Sequence, residues 1–213
     1  NKYLNAVSPG NRIQVPIEGD HVSENGIMDF WFNAFTVIKD NLAEVNSYYI
    51  FGPQIQGMMM MMMMMMKAGL PYRHGIIWVK NNHVLGRCDY NYKHEPMFFG
   101  WTTTHKFYGQ GEFQTSVWEV DKPHRSDLHP TMKPVRLVVN ALLNSSRVDQ
   151  ICLDPFLGSG STLIACEQTG RRCVGMEIDP AYCDVIRDRY ARFVKDPRWA
   201  ARPEAFEEAL AIA

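Results

Sequence analysis

The chain has 213 residues, with 22 Lys or Arg against 23 Asp or Glu, a formal net charge of −1 and a hydrophobic fraction of 46%. This composition is typical of a soluble globular protein with a sizeable core, and it excludes binding of nucleic acid through overall positive charge. The five cysteines form no C-x-x-C pair, so we expect buried free thiols and no metal site.

The start of the chain predicts a loop followed by a helix. Residues 1–25 are rich in Asn, Gly and Pro, a composition typical of loops. Apolar residues recur at helical spacing from Ile27 to about Leu42, and Ser23 precedes them as a candidate N-cap. We therefore expect the first helix to run from Ile27 to about Leu42, with Ser23 as its cap.

An aromatic strand and a methionine-rich segment come next. Residues 47–52, with two tyrosines, an isoleucine and a phenylalanine, predict a strand, and a helix over about 54–68 would connect it to the following strand. This segment contains nine consecutive methionines, Met58–Met66. Methionine favours helices, but an unbroken run has no polar face, so periodicity does not indicate which side is buried. An alternative is that the run stands in for poorly determined residues, and we assign it no function.

The middle of the chain predicts two strands and a long irregular segment. Residues 75–80 indicate a strand, and the apolar patch Met97-Phe98-Phe99 predicts a strand antiparallel to its neighbours. Residues 102–128 show little periodicity, so we predict no regular element there. Pro134 is placed to begin a helix that continues through Leu143.

The stretch 151–180 has the pattern of half a nucleotide-binding sheet. Its first residues are apolar and predict a buried parallel strand, and the small-residue turn Gly158–Thr162 leads into a helix that Gly170 ends. A second strand over 173–176 ends in an acid, Glu177. Glycines let a ligand approach the backbone, and the free N–H groups of a helix N-terminus favour an electron-rich group. An acid at the tip of the second strand can accept both hydroxyls of a ribose.

Three ligand classes compete for a glycine turn of this kind. A phosphate-binding P-loop is disfavoured because no lysine follows the glycines, and a dinucleotide is disfavoured because Leu163 stands where G-x-G-x-x-G requires glycine. S-adenosylmethionine has a ribose but no pyrophosphate, so it does not need the phosphate-binding pattern. Its ammonium and sulfonium groups also favour a nearby carboxylate, and Asp154 precedes the turn.

Three segments of the chain resemble the amino-directed DNA methyltransferases of the permuted beta group. Asp154–Thr162 resembles the cofactor loop of that family, and His129–Pro134 resembles its other cofactor motif. Glu177–Tyr182 resembles its ribose-binding acid and the start of the next helix. The resemblance covers most of the chain and implies S-adenosylmethionine as the cofactor.

The resemblance also implies which residues bind the cofactor. They are Thr131, Lys133, Asp154, Phe156, Gly158, Ser159, Gly160, Ser161, Thr162 and Glu177. Glu177 is expected to carry the largest share of recognition, because a carboxylate can bind two hydroxyls. Lys133 is expected to meet the carboxylate of the cofactor, with a solvated charge as the alternative.

Catalysis in this family depends on a tetrapeptide, an acid, Ser or Asn followed by Pro-Pro-Tyr, which binds the target amine and stacks the base. No Pro-Pro occurs in the 213 residues. We therefore expect no catalytic residue in this chain and expect the motif upstream of Asn1. The alternative is that the motif has been lost and the protein is inactive. An acid at the first position would indicate adenine as the target, and Ser would favour cytosine.

Double-stranded DNA is the partner that the resemblance implies, with a small target-recognition region at 102–128. From Lys67 to Arg136 there are ten Lys or Arg and six Asp or Glu, so this segment carries +4 and the remainder −5. A local basic face could hold phosphates, and a solvated mixed-charge surface explains the same balance. The candidate DNA-binding residues are Lys80, Arg87, Lys106, Tyr108, Lys122 and Arg125.

The predicted fold is α/β, with a doubly wound, mostly parallel sheet of the S-adenosylmethionine-dependent methyltransferase type, helices on both faces and one antiparallel strand. We expect one methyltransferase domain over 1–195 and a C-terminal tail over 196–213. Within the domain, a helix over about 182–193 follows the second strand. Its arginines are expected to form a solvated face; they are Arg187, Arg189 and Arg192.

The predicted function is transfer of a methyl group to an exocyclic amino group of adenine or cytosine in DNA, as in restriction-modification. The alternatives are a methyltransferase acting on RNA or protein and a catalytically incomplete DNA-binding module. No signal peptide or membrane span is evident, so the expected location is the cytoplasm of a bacterial or phage-infected cell. The sequence leaves open whether the protein is a monomer or a homodimer.

Overall fold

The computed structural model describes residues 24–54, 56–83, 89–122 and 132–196. The predicted loop before residue 24, its Ser23 cap and the tail from residue 197 lie outside the described residues. In chain order the elements are α1 (Glu24–Asp40), β1 (Tyr48–Phe51), α2 (Gln56–Lys67), β2 (His74–Val79), β3 (His94–Gly100), β4 (Val117–Glu119), α3 (Val135–Ser145), β5 (Ile151–Asp154), α4 (Ser161–Thr169), β6 (Arg172–Gly175) and α5 (Pro180–Val194). Within the described ranges, no helix is long and apolar enough to cross a membrane.

Four strands form a mixed sheet in the order β1-β3-β2-β4. β3 is antiparallel to both of its neighbours, with Phe98 opposite Ile50 of β1 and Gly75 of β2, whereas β2 and β4 are parallel. The predicted antiparallel strand is therefore confirmed. Because β1 and β2 both oppose β3, they run in the same direction, and α2 connects them as the sequence indicated.

Side chains alternate across this sheet, and its two faces pack against different helices. On one face, Phe98 packs with Phe35 of α1 and Met65 of α2. On the other face, Phe99 belongs to a cluster that includes Leu137 of α3. Successive strand residues point to opposite faces, so neighbouring phenylalanines of β3 enter different cores. Helices thus cover both faces, and the α/β class is confirmed.

The methionine run forms most of α2, and the sheet divides it into a buried side and an exposed side. The methionines that pack into the core are Met58, Met61, Met62, Met64 and Met65. Those that are exposed to solvent include Met59, Met63 and Met66. The buried positions follow the i, i+3, i+4, i+7 spacing of an amphipathic helix, although the residues themselves are identical.

The other two described strands, β5 and β6, pair in parallel as a separate sheet. Cys152 of β5 and Cys173 of β6 face α3 and α4, where they contact the cluster that contains Leu142. The predicted parallel strand is confirmed, but its full burial is not, since Ile151 is 62% exposed and Leu153 is 38% exposed. Only every second residue of β5 faces the helices, because strand side chains alternate.

The described cysteines are free thiols rather than members of a metal cluster. Cys152, Cys166, Cys173 and Cys183 are unbridged, and within the described ranges no group of three or more His, Cys, Asp or Glu could hold a metal ion. Hydrogen bonds with Cys152 and Cys173, together with burial, raise the pKa of the Cys166 thiol. A raised pKa keeps this thiol protonated and unreactive.

Helix α3 also holds the irregular segment that precedes β4. Asn144 is 1% exposed; its Oδ1 accepts from Gly111 N at 2.9 Å and its Nδ2 donates to Phe113 O at 2.9 Å. Asn140 repeats the pattern one turn earlier, accepting from Phe113 N at 2.8 Å. The described part of 102–128 is therefore attached to the core and contains β4, which the sequence did not predict because three residues are too few to show alternation.

Candidate functional site

The turn between β5 and α4 depends on glycine backbone geometry. Gly158 and Gly160 have φ values of 56° and 81°, in the left-handed region that other residues rarely adopt. Gly160 is the N-cap of α4. A Cβ added to Gly160 would lie 3.3 Å from side-chain atoms of Ile186 in α5, so this glycine also allows α5 to approach the turn. A side chain at Gly160 would therefore meet α5, and contact between this glycine and a ligand stays a prediction.

The carboxylate of Asp154 holds the turn together from the end of β5. Its Oδ1 accepts from Phe156 N at 3.0 Å, and its Oδ2 accepts from the Thr162 hydroxyl at 2.5 Å. Thr162 is buried in the first turn of α4, so the carboxylate joins the two sides of the loop. Asp154 thus has a structural task in addition to any contact with a cationic ligand.

Thr162→Val is expected to lower the free energy of unfolding by about 1.5–3 kcal/mol, the usual loss when a hydrogen bond to a charged group is removed. Valine matches the shape of threonine but leaves Asp154 Oδ2 without its 2.5 Å donor. Thr162→Ser is the matched control because it keeps the hydroxyl. Urea unfolding of both variants measures the effect, and equal losses would show that the hydroxyl contributes nothing.

Glu177 lies where the sequence predicted, at the glycine turn. Its Oε2 accepts from Gly158 N at 2.7 Å, and its Oε1 accepts from Asp179 N at 3.0 Å. Leu157 N also donates to Met176 O at 2.9 Å, which fastens the turn to the end of β6. The parallel pairing of β5 and β6 brings the C-terminal ends of both strands to the same side of the sheet. Asp154 and Glu177 therefore meet at one loop although they are 23 positions apart in the chain.

Arg189 of α5 clamps the turn, which corrects the prediction of a solvated arginine. Its guanidinium donates to Ser159 O at 2.9 Å and to the Ser161 hydroxyl at 3.2 Å. Burial lowers the pKa of Arg189, although a guanidinium stays charged in proteins. The sequence held a signal for this placement, because position 189 lies three residues after the buried Ile186 and shares its side of the helix.

Lys133 connects the turn to the four-stranded sheet. Its carbonyl oxygen accepts from the Ser161 hydroxyl at 2.7 Å, and its ammonium donates to Glu95 Oε2 at 2.7 Å. The ion pair with Glu95 does not match a simply solvated charge, and contact between Lys133 and the cofactor stays a prediction. Thr131, the other residue predicted in this motif, lies outside the described residues.

Lys80 is buried, so it does not have the position that a DNA-phosphate contact requires. Its side chain is 3% exposed, and its ammonium donates to Glu95 Oε1 at 3.2 Å. Burial by itself raises the pKa of Glu95, but Lys133 and Lys80 outweigh this effect and hold that pKa below its usual range. Lys80 was a candidate DNA contact because lysine side chains are usually exposed.

The other candidate DNA-binding residues that the structure describes do not all lie together. Lys106 is exposed, while Tyr108 is half-buried and its N–H donates to Asn144 O at 2.7 Å. Asn144 is near the C-terminus of α3, whereas Lys133, which contacts the glycine turn, precedes the N-terminus of the same helix. The length of α3, about 16 Å, therefore separates Tyr108 from the turn. Lys122 follows β4, and its N–H donates to Asn81 Oδ1 at 3.0 Å, next to Lys80. Two of the candidates, Arg87 and Arg125, lie outside the described residues.

A cleft of about 310 Å³ lies at this distant end of α3. Its walls include Tyr49, Phe99, His105, Phe113 and Asn144. Because Asn144 is near the C-terminus of α3, the cleft is separated from the glycine turn by the length of that helix. The residues that converge on the turn are therefore the candidate functional site, and the aromatic cleft is a separate feature.

A family model described as DNA methylase (N6_N4_Mtase) matches residues 14–188 of the chain. The chain belongs to this DNA methylase family. The matched range includes the glycine turn, Glu177 and Lys133. The residues that converge on the turn therefore lie within the part of the chain that matches the family.

Individual relatives and solved structures also resemble the chain. The Type II methyltransferase M.Cfr9I of Citrobacter freundii is 30% identical over 99 residues, 46% of this chain, and the chain spans only 33% of the length of that relative. The M1.HpyAVI–SAM complex has a TM-score of 0.64 at 20% identity and covers 75% of this chain and 81% of its own. The cytosine-N4-specific PvuII DNA methyltransferase has a TM-score of 0.65 at 14% identity, covering 96% of this chain and 81% of its own. At these identities the structural likeness shows a shared fold.

Proposed function

We propose that the protein is an S-adenosylmethionine-dependent methyltransferase that methylates an exocyclic amino group of adenine or cytosine in double-stranded DNA. The observation that carries the proposal is the Glu177 carboxylate, held against the glycine turn at the ends of two parallel strands in a member of the DNA methylase family. The solved complex of a protein of the same fold with SAM supports the choice of cofactor.

The residues of the turn fit this cofactor. An ionised carboxylate offers about four acceptor positions, and Glu177 uses one for Gly158 N and one for Asp179 N. The remaining positions are available for the two ribose hydroxyls. The exposed side chains of Phe156 and Ile178 flank the same strand ends and offer apolar surface to a flat ring. Asp154, Gly158 and Gly160 keep the turn in the shape that this contact needs.

S-adenosylmethionine supplies the methyl group from its sulfonium, so the protein needs mainly to bind and align the reactants. The target amine lies inside a base pair, and the enzyme must therefore take the base out of the duplex. The 213 residues contain no Pro-Pro-Tyr, and we propose that the residues that hold the base amine lie outside them. Lys106, Tyr108 and Lys122, together with Arg87 and Arg125, remain proposed DNA contacts.

Calorimetric titration with S-adenosylmethionine and with NAD tests the cofactor. The chain is expected to bind S-adenosylmethionine and not NAD, because Leu163 interrupts the dinucleotide pattern. Binding of NAD alone would overturn the proposal.

Transfer of labelled methyl groups to unmethylated DNA, RNA and protein tests the substrate. The assay uses this chain and a version extended to include a Pro-Pro-Tyr tetrapeptide. We expect transfer to DNA by the extended protein only. Transfer by the 213-residue chain would contradict the assignment of catalysis to residues outside it. Binding of DNA without transfer by either protein would favour the alternative, a catalytically incomplete DNA-binding module.

A further inference from the structure

A charged cluster lies between the four-stranded sheet and the glycine turn. Glu95, near the start of β3, accepts from Lys80 Nζ at 3.2 Å and from Lys133 Nζ at 2.7 Å. Both ammonium groups lie over aromatic rings: Lys133 is 4.9 Å from the ring centre of Phe51, and Lys80 is 5.7 Å from that of Trp78. The cluster thus joins β1, β2 and β3 to the segment that precedes α3.

Burial makes the carboxylate of this cluster necessary. The side chain of Lys80 is 3% exposed, and those of Glu95 and Lys133 are 24% and 27% exposed. A buried ammonium group without an opposite charge is strongly unfavourable. One oxygen of Glu95 therefore compensates Lys80, and the second oxygen holds Lys133.

The backbone of Lys133 continues the connection to the turn. Its carbonyl oxygen accepts the Ser161 hydroxyl at 2.7 Å, and Ser161 is the first residue of α4. The same hydroxyl accepts from Arg189 at 3.2 Å, and Arg189 also holds Ser159 O at 2.9 Å. Lys133 thus contacts one sheet through its side chain and the glycine turn through its backbone.

We propose that Glu95 is a positioning residue: by holding Lys133 at the end of the four-stranded sheet where β3 begins, it sets the position of the glycine turn that binds the cofactor. Glu95 acts through Lys133 and Ser161 and does not touch the cofactor. This inference rests on the proposed function of the turn, but the effect of Glu95 on the order of the turn can be measured without any cofactor.

The experiment compares Lys80→Met with the double variant Glu95→Gln/Lys80→Met. Glu95→Gln alone would leave Lys80 buried without its counter-ion and would destabilise the whole protein. Both variants carry Lys80→Met and therefore lack the buried cation. Methionine has a similar length to lysine and can stay against Trp78. Only the double variant also loses the charged link to Lys133, and the comparison isolates that link.

Amide hydrogen exchange without cofactor gives the first readout. Residues 132–139 and 158–164 are expected to exchange faster in the double variant than in Lys80→Met, while α2 exchanges equally in both. The second readout is the affinity for S-adenosylmethionine, which is expected to be about tenfold lower in the double variant. Equal exchange in both segments would overturn the positioning role.

Variants of Lys133 separate positioning from direct contact with the cofactor. If Glu95 acts through Lys133, Lys133→Met loses affinity to the same extent as the double variant. Lys133→Arg keeps a cation for Glu95 and retains most of the affinity. Loss of affinity in Lys133→Met with full affinity in the double variant would mean that Lys133 itself binds the cofactor, and this result overturns the proposal. If the wild-type chain does not bind S-adenosylmethionine, the proposed function fails, and the exchange comparison still decides the role of Glu95.

Discussion

Glu177→Gln is expected to lower the affinity for S-adenosylmethionine by about ten- to a hundredfold, which corresponds to about 1.5–3 kcal/mol. The carboxylate of Glu177 accepts from Gly158 N at 2.7 Å and from Asp179 N at 3.0 Å, and it is proposed to accept the ribose hydroxyls as well. Glutamine removes the charge and turns one acceptor into a donor, which would face a backbone N–H. The variant therefore weakens both the ribose contact and the shape of the turn.

Glu167→Gln is the matched control for this experiment. Glu167 is an exposed residue of α4 that accepts from the Tyr190 hydroxyl at 2.9 Å, so its replacement makes the same change in charge away from the turn. Calorimetric titration of both folded variants measures the difference. Equal affinities for the two variants would show that Glu177 is not the ribose-binding acid.

Gly160→Ala is expected to reduce the affinity for S-adenosylmethionine roughly tenfold, about 1.4 kcal/mol, and to destabilise the fold by about 1–2 kcal/mol. Gly160 has a φ of 81°, and a Cβ there would lie 3.3 Å from Ile186, so the turn must move relative to α5. Alanine is chosen because a β-branched residue is disfavoured still more strongly at positive φ. Valine would therefore test folding as much as binding.

Gly170→Ala provides a control with nearly the same strain at the other end of α4. Gly170 has a φ of 68°, and a Cβ there would lie 3.3 Å from Val148. Both variants should lose similar stability in urea unfolding, and only Gly160→Ala should lose affinity for the cofactor. Equal affinity in the two variants would mean that Gly160 serves the fold alone.

The turn could be predicted from sequence because its requirements are local. Positive φ at Gly158 and Gly160 requires glycine, and an acid directly after a strand stays near that strand in any parallel pair. The placement of Glu177 at the turn follows from these two facts, and the structure bears out this geometry. Its contact with a ribose stays a prediction.

The charged residues around the turn could not be assigned in the same way. A sequence shows where a lysine or arginine occurs but not whether its side chain is buried, and long charged side chains are usually solvated. Lys80 and Arg189 were both expected at the surface, but packing of distant elements encloses them. No role could be assigned to Glu95, because its two lysines lie 15 and 38 residues away in the chain.

The segment that carries β4 shows a second limit of local patterns. Three strand residues give no measurable alternation, and the buried amides of Asn140 and Asn144 that hold the loop before β4 come 27 and 33 residues after their partners in the chain. Asparagine in a helix is usually a surface residue, so nothing in the sequence marked these two as buried. Tertiary contacts therefore decided where the region of 102–128 lies.

By itself the sequence determined the α/β class, the positions of the long elements, the antiparallel strand and the glycine turn with its acid, because each depends on periodicity or on local backbone geometry. The methionine run shows what it could not determine. Nine identical side chains have no periodicity, yet Met65 is fully buried while Met63 is exposed. Only the position of α2 against the sheet creates that difference, because burial is a property of where a helix lies and not of the residues it repeats.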